Sequence, residues 1–376
     1  MTAPAKIGVV GLGTMGLGIA QVYAQAGFTV VVTDAIPAAR ENALPRLHAT
    51  LTERVTAGKL AAEMRDATLA RIEIVDGVNG MRGASLIIEA IIETLVAKRE
   101  LFSKLEMVVA PDAVLATNTS SLSIADIASG MKHSERMLGL HFFNPAPVMK
   151  LVELVAHNST DAQSLTTARS LTEAAGKTVI ACADRPGFVV NRCARPFYGE
   201  ALALLEEGRS ASEIDAAMLA AGYRLGPLSL IDLVGADINL AATRGLSTAM
   251  DHHPRYHVFD ALVAHVATGD LGRKTGRGFV CPAALGPAPS DAAKIALRIE
   301  ATLANEAASL LAEGGVDTTG IDTAMKLALN FPRGPFEAAR IHGLPLIRAT
   351  LRNLEAAAPP HLNGRYSISP ALETLT

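Results

Sequence analysis

Little in this sequence points to a charged macromolecular partner, a metal or a membrane. Lys and Arg number 34 against 37 Asp and Glu, a formal net charge of −3. No long basic run breaks that balance, so there is no electrostatic case for nucleic acid or an anionic lipid surface. Any anionic ligand must be held by a few local groups. The three cysteines, Cys182, Cys193 and Cys281, show no CxxC or metal-ligand spacing. They read as reduced thiols, and no metal is expected. No stretch approaches the ~20 apolar residues of a spanning helix. The residues leading into Lys6 lack the basic region, long apolar run and cleavage site of a secretion signal. The expectation is a cytoplasmic protein that binds neither membrane nor nucleic acid. What is abundant is apolar: 49% of the 376 residues are hydrophobic and 19% charged. A chain of this length exceeds the ~250–300 residues at which single cores stop growing, so two domains are expected.

The first forty residues carry the most specific local signal. A short β-rich run, Ile7 to Val10, ends in Gly11-Leu12-Gly13-Thr14-Met15-Gly16. Leu17 to Gln25 reads as a helix, and a second β-rich run, Thr29 to Thr33, ends at Asp34. Strand, glycine loop, helix, strand and acidic residue together form the dinucleotide-binding context. Gly11 permits the tight turn, Gly13 lets backbone approach a pyrophosphate, and Gly16 lets helix pack close to strand. The helix N-terminus offers free N–H groups to the phosphates. Asp34 can accept from both hydroxyls of an adenosine ribose and would repel a 2′-phosphate, which favours NAD over NADP.

Further along, residues 38–70 read as a helical pair with a turn at Gly58, an insertion into the strand–helix alternation. Strands are expected at 85–90, 114–117, 136–143, 150–156 and 178–182, with a helix over 94–108. The alternation gives way to Ala- and Leu-rich helical segments at Asp184-Arg-Pro-Gly-Phe188. The expected architecture is an α/β Rossmann-type domain over 1–185 followed by an all-α domain containing two related helical repeats, 186–285 and 286–376. The repeat shows as an ordered series. Glu200–Gly208 matches Glu306–Gly314, Ile214–Met218 matches Ile321–Met325, Gly226-Pro227 matches Gly334-Pro335, and Gly235 matches Gly343. The offset drifts only from 106 to 108 residues along that series.

A chemical constellation follows from the strand ends. His141 ends one expected strand and Glu153 lies on the next, with an Asn144-Pro145 turn between them. If those strands are neighbours, the two side chains can meet. Histidine exchanges protons near neutrality, and a carboxylate partner would fix its tautomer and favour the imidazolium. Ser120 after a strand end, Asn144 beside the turn and Asn191 at the domain boundary add polar groups. Oxidising a secondary alcohol needs a hydride acceptor and a base, and these residues supply a place for both.

At these residues the sequence closely resembles the 3-hydroxyacyl-CoA dehydrogenase family. The matching pieces are GLGTMG (11–16), IIEAIIE (87–93), NTSSL (118–122), HFFNPAPVMKLVE (141–153), DRPGFVVNR (184–192), LGPLSLIDLVGAD (225–237) and LGRKTGRGF (271–279). The resemblance implies oxidation of L-3-hydroxyacyl-CoA to 3-ketoacyl-CoA with NAD. It makes His141 the general base and Glu153 its orienting partner. Ser120 and Asn191 would hydrogen-bond the substrate oxygen and the histidine region. Gly11 to Gly16, Asp34, Glu93, Lys98, Ser120, Asn144 and Lys274 would lie along the cofactor. Lysines expected to meet the CoA phosphates are not cleanly placed, and Arg54 and Lys59 are the candidates. Arg185 stands where the family usually has Lys.

Two rival readings remain beside this one. A β-hydroxyacid dehydrogenase acting on a free acid resembles the opening motif, but such enzymes resemble one another in an interdomain catalytic lysine, and residues 186–192 contain none. A catalytically idle NAD-binding structural protein is the other, and His141 with Glu153 argues against it. The second repeat has Arg340-Ile-His-Gly343 where the first has Asp232-Leu-Val-Gly235, so it reads as structural. Packed on the first copy it would act as an internal partner subunit, favouring a monomer, with a homodimer through another surface as the alternative.

Overall fold

The computed structural model describes residues 5–375. The chain forms two compact units that divide between Arg185 and Pro186.

The first unit is built on eight strands: β1 (Lys6–Val10), β2 (Thr29–Thr33), β3 (Ile72–Ile74), β4 (Leu86–Glu89), β5 (Val114–Thr117), β6 (Met137–Phe142), β7 (Leu151–Ala156) and β8 (Thr178–Ala183). They lie in the order β3-β2-β1-β4-β5-β6-β7-β8. All neighbours are parallel except β6 and β7. The central strands read as unbroken apolar runs because both faces of a parallel sheet are covered. Ile7, Val9, Val30, Val32, Ile87 and Leu115 are all fully buried. The covering helices are α1 (Thr14–Gln25), α2 (Pro37–Thr56), α3 (Ala62–Ala70), α4 (Leu95–Glu106), α5 (Ile124–Ala128) and α6 (Ala162–Ala174). Strand order reverses between β1 and β4, and in an open sheet such a switch point opens a ligand crevice at the carboxyl ends of the strands. The helical pair anticipated over 38–70 is present as α2 and α3, with Gly58 at φ +67 between them. The edge strand β3 spans three residues, too short to show any periodicity in the sequence. Helix α1 begins at Thr14 rather than Leu17, because the turn from β1 takes only three residues.

The second unit is helical: α7 (Val190–Cys193), α8 (Arg195–Glu206), α9 (Ala211–Ala220), α10 (Pro227–Val234), α11 (Ala236–Ala249), α12 (Asp260–Thr268), α13 (Ala292–Ala312), α14 (Thr318–Leu329), α15 (Pro335–His342), α16 (Leu344–Ala357) and α17 (Pro370–Thr374). The repeat seen in sequence is a repeat in structure. Asp215 accepts the backbone N–H of Leu228 and Ser229, and its counterpart Asp322 accepts those of Phe336 and Glu337. In each copy a buried carboxylate thereby satisfies the open N-terminus of the Gly-Pro helix. Both copies turn at a glycine with positive φ, Gly235 and Gly343.

The two copies hold each other reciprocally. Arg192 pairs with Glu306 at 2.7 Å and Glu313 at 2.5 Å, and its counterpart Arg298 pairs with Glu200 and Glu207, each at 2.6 Å. Tyr256 donates to Glu306 and Tyr366 donates to Glu200. A contact from i to j with its mirror from j to i is the signature of an isologous, two-fold interface. Here it is made within one chain. The carboxylates of Glu200 and Glu306 are fully buried, so each depends on its guanidinium and tyrosine partners.

Candidate active site

His141 on β6 and Glu153 on β7 face each other directly in the antiparallel register. Directly opposite residues on one sheet face place their side chains together, and His141 Nδ1 lies 2.6 Å from Glu153 Oε2. Both are buried, Glu153 completely. The Phe143 ring lies against the imidazole, centroids 4.5 Å apart. The antiparallel step is what brings the pair about, because the Asn144-Pro145 turn reverses the chain between the two strands.

A second carboxylate shapes the loop that follows β5. Glu93 accepts from the Thr119 hydroxyl at 2.5 Å, the Ser120 amide at 3.1 Å and the Ser121 hydroxyl at 3.0 Å. Lys98 stands 3.3 Å from it and 2.6 Å from Glu89. Burial works against ionisation of Glu93. The hydrogen bonds from Thr119, Ser120 and Ser121 and the Lys98 charge outweigh that and hold its carboxyl below the usual range. Glu89 also accepts from Thr117 at 2.6 Å, while Asn118 accepts the Phe142 amide and so ties the loop to β6. Lys98 is 1% exposed. Its visible work is to neutralise Glu89 and Glu93 beneath the loop that carries Ser120.

The glycine loop meets its expected constraints. Gly11 has φ +101, and a side chain there would run into the Ala90 carbonyl. At Gly16 a Cβ would collide with the Gly11 carbonyl oxygen, whereas Gly13 faces open space. Asp34 accepts the Leu12 amide at 2.7 Å and the Ile36 amide at 2.9 Å, one on each carboxylate oxygen. Each oxygen keeps lone-pair capacity for a ribose hydroxyl. An open backbone cradle above a helix N-terminus, with a half-buried carboxylate beyond it, fits a dinucleotide.

Beside this loop lies a groove of about 270 Å³. Arg46, Thr50 and Arg54 line one wall, Gln21 another, and Asn144 with Pro147 the third. Arg54 thus borders a cavity, whereas Lys59 is exposed in the turn after α2 and does not. Arg46, not singled out from sequence, also donates to the Leu12 carbonyl at 3.1 Å. Its signal was the stripe Arg46, Thr50, Arg54, which puts three polar residues on one helix face. Lys177 fixes the third wall by donating to the Ala146 and Met149 carbonyls at 2.6 and 2.7 Å.

Asn191 and Lys274 belong to the second unit. Asn191 sits in the short helix α7, one residue before Arg192. Lys274 pairs with both oxygens of Asp237 at 2.5 and 2.6 Å. The segment around Lys274 hangs on Asp232, whose carboxylate accepts the amides of Phe279, Val280 and Cys281. The second copy has Arg340 in place of Asp232. Among the described residues no cluster of side chains could hold a metal ion, and no helix is long and apolar enough to cross a membrane.

Both parts of the chain match known proteins. Residues 6–185 match the NAD binding domain of 3-hydroxyacyl-CoA dehydrogenase, and residues 187–281 and 295–376 match its C-terminal domain. The chain is 45% identical to the 3-hydroxyadipyl-CoA dehydrogenase of Escherichia coli K12 over 72% of its length, a match that spans 58% of that longer protein. It is 40% identical to the 3-hydroxybutyryl-CoA dehydrogenase of Mycobacterium tuberculosis, over 73% of this chain and 97% of that one. Its structure superposes with TM-score 0.91 on the crystal structure of 3-hydroxybutyryl-CoA dehydrogenase from E. coli K12, at 32% identity, covering 99% of this chain and 98% of that one. With both domains matched over nearly the whole chain, the protein belongs to the 3-hydroxyacyl-CoA dehydrogenase family.

Proposed function

We infer that the protein oxidises L-3-hydroxyacyl-CoA to 3-ketoacyl-CoA, and runs the reverse reaction, with His141 as the general base. The observation that carries this is the buried His141–Glu153 pair, 2.6 Å apart, at the end of β6 in a sheet whose first loop fits NAD. NAD, held by the 11–16 loop and Asp34, supplies the hydride acceptor. Nδ1 is committed to Glu153, so Nε2 is the nitrogen that takes the hydroxyl proton. As the proton arrives, the Glu153 carboxylate stabilises the imidazolium it creates. Ser120 and Asn191 are the residues assigned to the substrate oxygen, which turns from hydroxyl to carbonyl in the reaction. Glu93, Lys98, Asn144 and Lys274 are assigned to the cofactor, Glu93 and Lys98 by fixing the Ser120 loop. Arg54, with Arg46 beside it, offers positive charge to the CoA phosphates. Lys59 lies outside that groove and is the weaker assignment.

The acyl carrier is tested directly. NADH oxidation with acetoacetyl-CoA should be fast and with free acetoacetate negligible. Activity with the free acid alone would instead favour a β-hydroxyacid dehydrogenase, and none with either an idle binding protein.

The reciprocal Arg192–Glu306 and Arg298–Glu200 pairs support a further part of the reading, that the second helical copy takes the place of a partner subunit and the chain works as a monomer.

A further inference from the structure

Helix α2 reaches the glycine loop and its flank with two arginines. Arg40 donates to the Asp34 carbonyl at 2.6 Å and pairs with Asp76 at 3.0 Å, so its charge is met within the fold. Arg46 donates through Nη1 to the Leu12 carbonyl at 3.1 Å and pairs with no carboxylate among the described residues. Arg40 therefore acts as a finished clamp, and Arg46 as one whose charge is left open. A guanidinium is a fork of several N–H donors, and a single bond to Leu12 leaves most of them for another acceptor. The side chain is exposed and lines the groove of about 270 Å³ together with Arg54. Arg54 follows two turns later on the same face of α2 and also pairs with no carboxylate among the described residues.

Leu12 is the residue through which the groove meets the cofactor loop. It is fully buried, so both of its backbone polar groups need partners. Its amide goes to Asp34 Oδ2 at 2.7 Å and its carbonyl takes the Arg46 bond. One side of Leu12 is thus held by the carboxylate placed for the adenosine ribose, the other by a side chain of the groove. Packing fixes the loop at Gly11, where a side chain would strike the Ala90 carbonyl, but not at Gly13, which faces open space. Between them the hydrogen bonds of Leu12 set the course of the backbone. A long exposed arginine gives up rotamer freedom to make such a bond. An anion in the groove that engages the remaining donors restrains the same side chain. Whichever contact forms second then finds the arginine already ordered, and bears less of that cost.

We propose that Arg46 is a positioning residue shared by the cofactor loop and the groove, so that NAD(H) and the CoA moiety bind with positive cooperativity. The proposal rests on the reading above that the groove takes the CoA phosphates. A phosphate oxygen supplies the negative charge that Arg46 lacks, in a geometry suited to a guanidinium fork. The held arginine keeps the Leu12 carbonyl in place, and the Leu12 amide keeps its grip on Asp34. Coupling of this kind is reciprocal by thermodynamic necessity: whatever factor CoA contributes to NADH affinity, NADH returns to CoA.

The test titrates NADH by its fluorescence, with and without saturating free CoA, and titrates CoA calorimetrically with and without NADH. In the wild type each ligand should tighten the other by about fivefold, the lower end of common coupling factors. Arg46→Met should still bind both ligands, which reports that it is folded, but with the factor reduced to one. Arg54→Met should weaken CoA and leave the factor unchanged once CoA is saturating. A purely structural clamp at Arg46 would lower NADH affinity equally with and without CoA, and that result overturns the proposal. So does a wild type without coupling or with mutual weakening. A factor that survives in Arg46→Met also overturns it, since the two ligands would then be touching each other directly. If CoA does not bind the wild type, or binds Arg46→Met and Arg54→Met as tightly as the wild type, the groove is not the CoA site, and that reading falls together with the proposal.

Discussion

Glu153 has no exposed surface, and His141 Nδ1 lies against one of its carboxylate oxygens. The carboxylate stands 2.6 Å from the imidazole that takes the substrate's proton in the proposed reaction. His141→Ala should reduce kcat by about 10²–10⁴, the usual worth of a general base. Glu153→Gln keeps the shape but removes the charge, and should lower kcat while leaving NADH affinity, read by fluorescence titration, near the wild-type value. Near-normal turnover in folded His141→Ala would remove His141 from the role of base, and in folded Glu153→Gln it would remove Glu153 from that of its partner. The antiparallel register came from the fold, but the pair was legible in the sequence as two β-rich runs either side of the Asn144-Pro145 turn signal, whose side chains could meet if the strands were neighbours. Glu89 was not. It sits inside an apolar run and acquires meaning only when the fold brings Lys98 and Thr117 to it.

At the scale of elements, the loop after β5 depends on one carboxylate, since Glu93 collects two hydroxyls, one amide and the Lys98 charge. Its carboxyl is held below the ordinary glutamate value, so the folded state binds its proton less readily than the unfolded chain. The stability it contributes is therefore present above about pH 4.3, the unfolded value, and is lost as pH falls through the lower folded value. Urea midpoints of the wild type and Glu93→Gln should differ at neutral pH and converge in acid. A difference that persists below pH 3 would assign the effect to something other than this ionisation. Most elements followed from pattern: the parallel strands from unbroken apolar runs, the glycine loop from its flanks, the repeat from an ordered series of matches. The groove did not. Its walls come from α1, α2 and the turn after β6, and only the stripe Arg46, Thr50, Arg54 hinted at it. The short strand β3 gave no signal at all.

At the scale of the molecule, the helical unit folds two related copies against each other through buried, reciprocal ion pairs. Breaking one such pair strands a buried charge, which costs several kcal/mol. Internal docking also avoids the ~4–15 kcal/mol of lost rigid-body freedom that two separate chains would bear. Light scattering at micromolar concentration should give the mass of a monomer. A chain ending after Gly278 would leave Arg192, and with it the apolar face of the first copy, uncovered, and should dimerise or aggregate. A full-length dimer whose contact runs through the first copy would contradict this. The reciprocal arrangement also frees the protein from a restriction that binds every symmetric dimer. When two identical subunits meet across a two-fold axis, any change of gene sequence is imposed on both sides of the interface at once. Here the two sides are separate stretches of one gene. Asn191 and Arg195 stand in one half where Leu297 and Ala301 stand in the other, so the two halves are free to diverge without either taking the other along.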